Sequence, residues 1–97
     1  MTDIPSSAEQ LSQVVKITNK RGLHARASAK FVTLASGQPC AIEVEKDGSK
    51  VAGTSIMGLM MLGAAMGDHV TISTAGDGAE EALTLLVELV ENKFGEE

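Results

Sequence analysis

The spacing of apolar positions switches between a period of two and a period of 3.6 along the chain, and each switch marks an element. Residues 1–12 carry Pro5, Ser6 and Ser7 and show no period, so they read as a flexible tail. Residues 13–18, QVVKIT, are β-branched and read as a strand. Asn19 to Leu23 hold a turn punctuated by Gly22. Ala27, Phe31, Leu34 and Ala35 then fall at i, i+4, i+7 and i+8, with Arg26, Lys30 and Thr33 on other faces. That spacing predicts an amphipathic helix from Ala25 to Ser36, with Gly37 as its cap.

Ile42 and Val44 alternate with Glu43 and Glu45, the pattern of a half-buried strand. Asp47-Gly48 is a hairpin signal, and Ser49 to Ala52 return as a short strand. Ser55 suits the N-cap of a short helix through Ile56 to Leu62, with Gly63 as its stop. His69 to Thr74 alternate again, Val70 and Ile72 inward. Asp77 and Glu80 have the spacing of a capping pair for a last helix ended by Gly95. Its apolar face is Ala79, Leu83, Leu86 and Val90, widened by Ala82, Val87 and Leu89. The order β-α-β-β-α-β-α predicts an α+β two-layer sandwich. In it a four-stranded, mostly antiparallel sheet carries three helices on one face. The domain is expected to span residues 13–97.

At 97 residues there is room for one core, and 43% hydrophobic with 22% charged residues excludes a disordered chain. The chain has no Trp or Tyr and two Phe, which leaves little to stack bases on. The net charge of −5 further argues against nucleic-acid binding. The single Cys40 forms no internal disulfide, the two His stand far apart, and no metal or cofactor motif occurs. The N-terminal stretch lacks the pattern of a secretory signal, and the apolar run from Val51 to Met66 is too short and too glycine-broken to span a bilayer. The expected setting is the cytoplasm, with no membrane contact. The charge is split along the chain: Lys16, Lys20, Arg21, Arg26 and Lys30 lie together, with no Asp or Glu between Glu9 and Glu43. Such a positive field on an acidic protein attracts an acidic partner or a phosphate.

His24 stands between the Gly22-Leu23 turn and the first helical turn. The next backbone amides have no intrahelical acceptors and carry the positive end of the helix dipole, which makes a phosphate cradle. Arg26 adds a guanidinium to the same anion. Both the helix end and Arg26 disfavour an imidazolium, so the expected ring is neutral, with one nitrogen as nucleophile. His69 opens a strand on its outward face, away from any helix start, and is expected to be an ordinary surface residue. Cys40 is assigned no chemistry.

Residues 22–31, GLHARASAKF, resemble the phosphorylation-site segment of the HPr-type phosphocarriers of the bacterial phosphotransferase system. Residues 54–63, TSIMGLMMLG, resemble the second helix of that family, and the element order agrees. The likeness covers residues 14–94. It implies an open-faced β-sandwich that is a carrier rather than an enzyme. Enzyme I would phosphorylate His24 on Nδ1, Arg26 would steady the phosphoryl group, and Enzyme IIA-type domains would receive it. The same resemblance makes Ser55 a regulatory candidate, since a dedicated HPr kinase/phosphorylase modifies this serine in some lineages. The partner face would combine Lys20, Arg21, Arg26 and Lys30 with exposed Ile56 and Met57, while Leu59 and Leu62 point inward. A shuttle that presents one face to several partners is expected to be a monomer. Ala27 stands where many members carry Pro, a change that keeps one more backbone donor in the first turn. Sugar and nitrogen-regulatory branches share these motifs.

Two other readings compete. A regulatory binding domain of the same fold without phosphoryl chemistry explains the element order but not GLHARAS. A small acylphosphatase-like enzyme would need an Arg-bearing phosphate loop and a water-positioning Asn, and only Asn19 and Asn92 are available.

Overall fold

Strand β1, Leu11–Lys16, lies antiparallel to β4, His69–Ala75, in a register running from Leu11 opposite Thr74 to Lys16 opposite His69. The computed structural model describes residues 10–96; most of the tail expected at 1–12 therefore lies outside the described residues. Leu11 and Ser12, assigned to that tail, instead belong to β1. At its other end the strand stops two residues before the expected Thr18. The reason is a change of partner: the Ile17 N–H donates to the Asp68 carbonyl at 2.8 Å and its carbonyl accepts from Gly67 at 2.7 Å. The chain thereby leaves the ladder for the loop before β4.

Helix α1 spans Ala25–Ser36, β2 Ala41–Lys46, β3 Ser49–Ala52, α2 Ile56–Met61 and α3 Ala79–Glu91. The sheet order is β1-β4-β2-β3, and every pairing is antiparallel. The β2–β3 hairpin closes on Asp47 and Gly48, both at positive φ (50° and 86°), as a two-residue type I′ turn requires.

Val15, Ile42, Val44, Val70 and Ile72 point from the sheet into one core. Ala27, Phe31 and Ala35 of α1, Leu59 of α2, and Leu86, Val87 and Val90 of α3 meet them there. Leu34, Leu83 and Leu89, expected on the apolar faces, are half-buried at its rim. The opposite sheet face stays open, with Val14, Glu43 and Lys50 exposed. This is the α+β open-faced sandwich expected of the pattern.

Helix α3 departs from expectation at both ends. Its N-cap is Gly78, at φ 71°, and Asp77 and Glu80 form no capping pair. Two left-handed glycines, Gly76 and Gly78, make the turn, so the chain enters the helix one residue after Asp77. Glu80 and Glu81 still sit in the first turn, where acids complement the helix dipole. At the far end the helix stops at Glu91, four residues before Gly95. A tight left-handed turn over Lys93–Gly95 follows, with Phe94 fully buried. Among the described residues no helix is long and apolar enough to cross a membrane.

Candidate functional site

The loop before α1 is built around Gly22. Its φ is +65°, and a Cβ at this position would lie 2.4 Å from the Ala64 carbonyl oxygen. Glycine permits both the left-handed turn and this close approach. The Leu23 N–H then donates to Ala64 at 2.9 Å, tying the loop to the segment between α2 and β4. Asn19 is fully buried and donates from Nδ2 to the Gly22 carbonyl at 2.8 Å. The Ser28 hydroxyl, also buried, donates to the Leu23 carbonyl at 3.3 Å. These contacts deliver His24 to the N-cap of α1 in an extended conformation.

His24 makes no side-chain capping bond. Its carbonyl accepts from Ser28 at 2.9 Å, so the amides of Ala25, Arg26 and Ala27 head the helix without intrahelical acceptors. Ala27 is itself fully buried and roots the first turn in the core. The side chains of His24 and Glu96 are 15% and 19% exposed, and Nε2 of the ring lies 2.6 Å from Oε2 of Glu96. The other oxygen of Glu96 accepts from Asn19 Nδ2 at 3.1 Å. The hydrogen bond with His24 is the main cause that holds the Glu96 carboxyl below its ordinary range. Partial desolvation opposes it, while the Asn19 bond and the charge of Lys30 reinforce it.

Glu96 is the residue that sequence reasoning missed. It lies 72 positions from His24 and comes back to it only through the turn after α3. The one signal was local: a lone apolar Phe94 followed by Gly95, directly after a helical pattern. The expectation for the ring counted Arg26 and the helix end. The contact with the carboxylate of Glu96 was not part of that expectation.

Lys20, Arg21, Arg26 and Lys30 come together as expected and line an open hollow of about 400 Å³ with Gly95 and Glu96. Lys16 is not among them; it sits opposite His69 in the sheet. Lys30 also donates from Nζ to the Phe94 carbonyl at 2.8 Å. Arg26 is exposed and forms no ion pair among the described residues. It stands available to an anion at the helix end.

Ser55 caps α2: its hydroxyl accepts from the Gly58 N–H at 2.9 Å. Leu59 and Leu62 are buried. Ile56 is 41% exposed, Met57 70% and Met61 78%, which leaves an apolar surface on a helix packed beside α1. His69 is exposed at the start of β4, and Cys40 is half-buried as a free thiol. Among the described residues no three His, Cys, Asp or Glu side chains gather as a metal would require. Asn19 commits its amide to Gly22 and Glu96, and Asn92 caps the end of α3. Neither lies beside an Arg-bearing phosphate loop with its amide aimed at it, as an acylphosphatase-like site would need.

Residues 11–92 match the family described as the PTS HPr component phosphorylation site. The chain is 48% identical over 83 residues to the phosphocarrier protein HPr of Pseudomonas aeruginosa, covering 84% of this chain and 92% of that protein. It is 39% identical to the phosphocarrier protein NPr of Shewanella violacea, covering 90% of this chain and 96% of that protein. The fold superposes on an HPr crystal structure from Thermoanaerobacter tengcongensis with a TM-score of 0.86. That match has 50% identity and covers 90% of this chain and 98% of the other. Helix start, sheet order and relatives agree: the chain belongs to the HPr family of phosphotransferase-system phosphocarriers, which carry phosphoryl groups on a histidine and interact with Enzyme I and Enzyme IIA components.

Proposed function

We propose that His24 is the phosphoryl-bearing histidine of this carrier. It would accept the group from phospho-Enzyme I and donate it to Enzyme IIA-type domains. The observation that carries this reading is the placement of His24 at the head of α1. There three backbone amides lack intrahelical acceptors, and Arg26 in the same first turn is exposed. A phosphoryl group on the ring is held by these donors, and Arg26 supplies a planar, permanently charged fork for its oxygens. None of the donors is covalent, so the group remains transferable. His69 has no helix end beside it.

The docking face joins two chemistries. Lys20, Arg21, Arg26 and Lys30 attract acidic partner surfaces and speed encounter. Ile56 and Met57 supply apolar contact, and methionine adapts to more than one partner. Ser55, at the N-cap of α2, is the regulatory candidate for an HPr kinase/phosphorylase. Phosphorylation there adds about two negative charges near a face built for acidic partners and weakens Enzyme I action. The carrier works as a monomer, without a nucleic-acid partner.

The decisive experiment incubates the protein with phosphoenolpyruvate and purified Enzyme I and reads intact mass and acid lability, wild type against His24→Ala. One acid-labile phosphoryl group on the wild type, absent from the variant, is expected. A phosphoryl group that persists on His24→Ala would move the acceptor elsewhere.

A further inference from the structure

Three consecutive residues after α3 adopt left-handed conformations: Lys93 and Phe94 at φ 56°, and Gly95 at φ 76°. Two of them carry side chains for which this region is unfavourable. The turn persists because it is over-determined. Phe94 is fully buried in the core, and its carbonyl is tied to Lys30 Nζ. The outcome of that geometry is the placement of Glu96 against His24.

Each hydrogen-bonding atom in this cluster has one available role. Asn19 Nδ2 donates both to the Gly22 carbonyl and to Glu96 Oε1. Reversing its amide would aim Oδ1 at two acceptors, so the orientation is settled although Oδ1 is buried without a partner of its own. Glu96, ionised, only accepts. A neutral imidazole facing Glu96 Oε2 at 2.6 Å must therefore carry its proton on Nε2, and its lone pair lies on Nδ1.

We propose that Glu96, held by Asn19, is a positioning residue for phosphoryl transfer: it fixes the Nε2–H tautomer of His24 and leaves Nδ1 as the nucleophile. The proposal rests on the reading of His24 as the phosphoryl acceptor. In the step itself the Nδ1 lone pair forms the N–P bond. The bond between phosphorus and the Enzyme I donor atom breaks, and its electron pair leaves with that atom. The Nε2 proton stays in place against Glu96, whose charge faces the positive charge that the ring acquires. In the reverse direction Glu96 is already arranged to receive the ring as Nε2–H.

Two substitutions separate this role from mere support of the fold. In Glu96→Gln the amide oxygen must face the Asn19 donor, so the amide N–H faces the ring. Nε2 then has to accept, and the ring proton moves to Nδ1. In Glu96→Ala the lock is gone but no wrong tautomer is imposed. The test measures ring ¹⁵N shifts above the ring's titration range, using His69→Gln for assignment, together with phosphorylation rates by phospho-Enzyme I. The expected order is wild type, then Glu96→Ala, then Glu96→Gln, with the last slower by about 10- to 100-fold, the range seen when a metal-ligating histidine loses its orienting partner. The ¹⁵N pattern of Glu96→Gln is expected to invert. A structural role predicts the reverse order, because glutamine keeps the shape that alanine removes. Wild-type rates and an unchanged ¹⁵N pattern in Glu96→Gln, or a slower Glu96→Ala, would overturn the role of Glu96 while leaving His24 as acceptor. Absence of a phosphoryl group from His24 in the wild type would sink the acceptor reading and the role of Glu96 with it.

Discussion

Lys30 on α1 reaches the carbonyl of Phe94 at 2.8 Å and so ties the helix that His24 caps to the turn that brings in Glu96. The basic residue thus serves the fold as well as the basic hollow. Replacing it with methionine keeps the apolar stem and deletes the donor. The expected loss is about 1 kcal/mol, the net worth of one such hydrogen bond, read as a lower urea midpoint at unchanged m-value. Amide exchange at residues 94–96 should accelerate more than exchange in the sheet. Uniform acceleration would show that the tether is not local.

Gly22 and Gly63 share a φ of +65° and differ in surroundings. At Gly63 a new Cβ meets nothing within 4 Å, so Gly63→Ala costs only the left-handed conformation, about 1–2 kcal/mol. At Gly22 the same methyl collides with Ala64 backbone, which forces apart the segments joined by the Leu23–Ala64 bond. We expect Gly22→Ala to cost at least about 2 kcal/mol more than Gly63→Ala, and to slow phosphorylation of His24 by displacing the helix start. Equal unfolding midpoints for the two variants would refute the collision argument.

Ser55 has a structural duty that any regulation must coexist with. Ser55→Ala should lose about 1 kcal/mol of stability while leaving phosphorylation by Enzyme I at saturation unchanged. Ser55→Asp retains a capping oxygen and adds a charge near the docking face. Its expected signature is a raised KM for Enzyme I with stability close to wild type. A Ser55→Asp variant with wild-type KM would remove the electrostatic basis for regulation at this position.

Met57 is exposed enough that its loss should not disturb the fold. Met57→Glu is expected to change stability by no more than about 0.5 kcal/mol. If α2 meets Enzyme I, the same change lowers kcat/KM by at least about 1 kcal/mol, roughly five-fold. Single-turnover transfer at saturating partner should be less affected. Unchanged kcat/KM toward every partner would remove α2 from the docking face.

The start of α1 was legible because two strong local signals, Gly22 and the Ala27-Phe31-Ala35 stripe, agree on it. The hairpin was legible because Asp47-Gly48 has few alternatives to a type I′ turn. The start of α3 was not, because Asp77 and Glu80 satisfy a capping spacing that the glycines on either side of Asp77 override. The C-terminal side of the site lay further out of reach. Glu96 meets His24 only after Phe94 is buried and three residues turn left-handed, and no periodicity announces that. Asn19 read as a turn residue, yet in the fold it is a buried donor shared between Gly22 and Glu96. Local pattern singled out His24; its neighbours are set by long-range packing.

The depressed Glu96 carboxyl makes a prediction with a definite sign. Its folded value lies below the ordinary carboxylate value near 4.3 because the ionised form is bonded to His24 and Asn19. The unfolded chain therefore binds this proton more readily than the folded one. The contact contributes its full stability above the ordinary value, and the contribution is lost as pH falls through the folded value. Urea unfolding of wild type and Glu96→Gln should show the widest gap in midpoint above about pH 5, narrowing steadily toward pH 3. Taking the difference cancels the acid destabilisation that the remaining carboxylates impose on both proteins. A gap independent of pH would mean that the shape of residue 96, not its ionised carboxylate, supports the C-terminal turn.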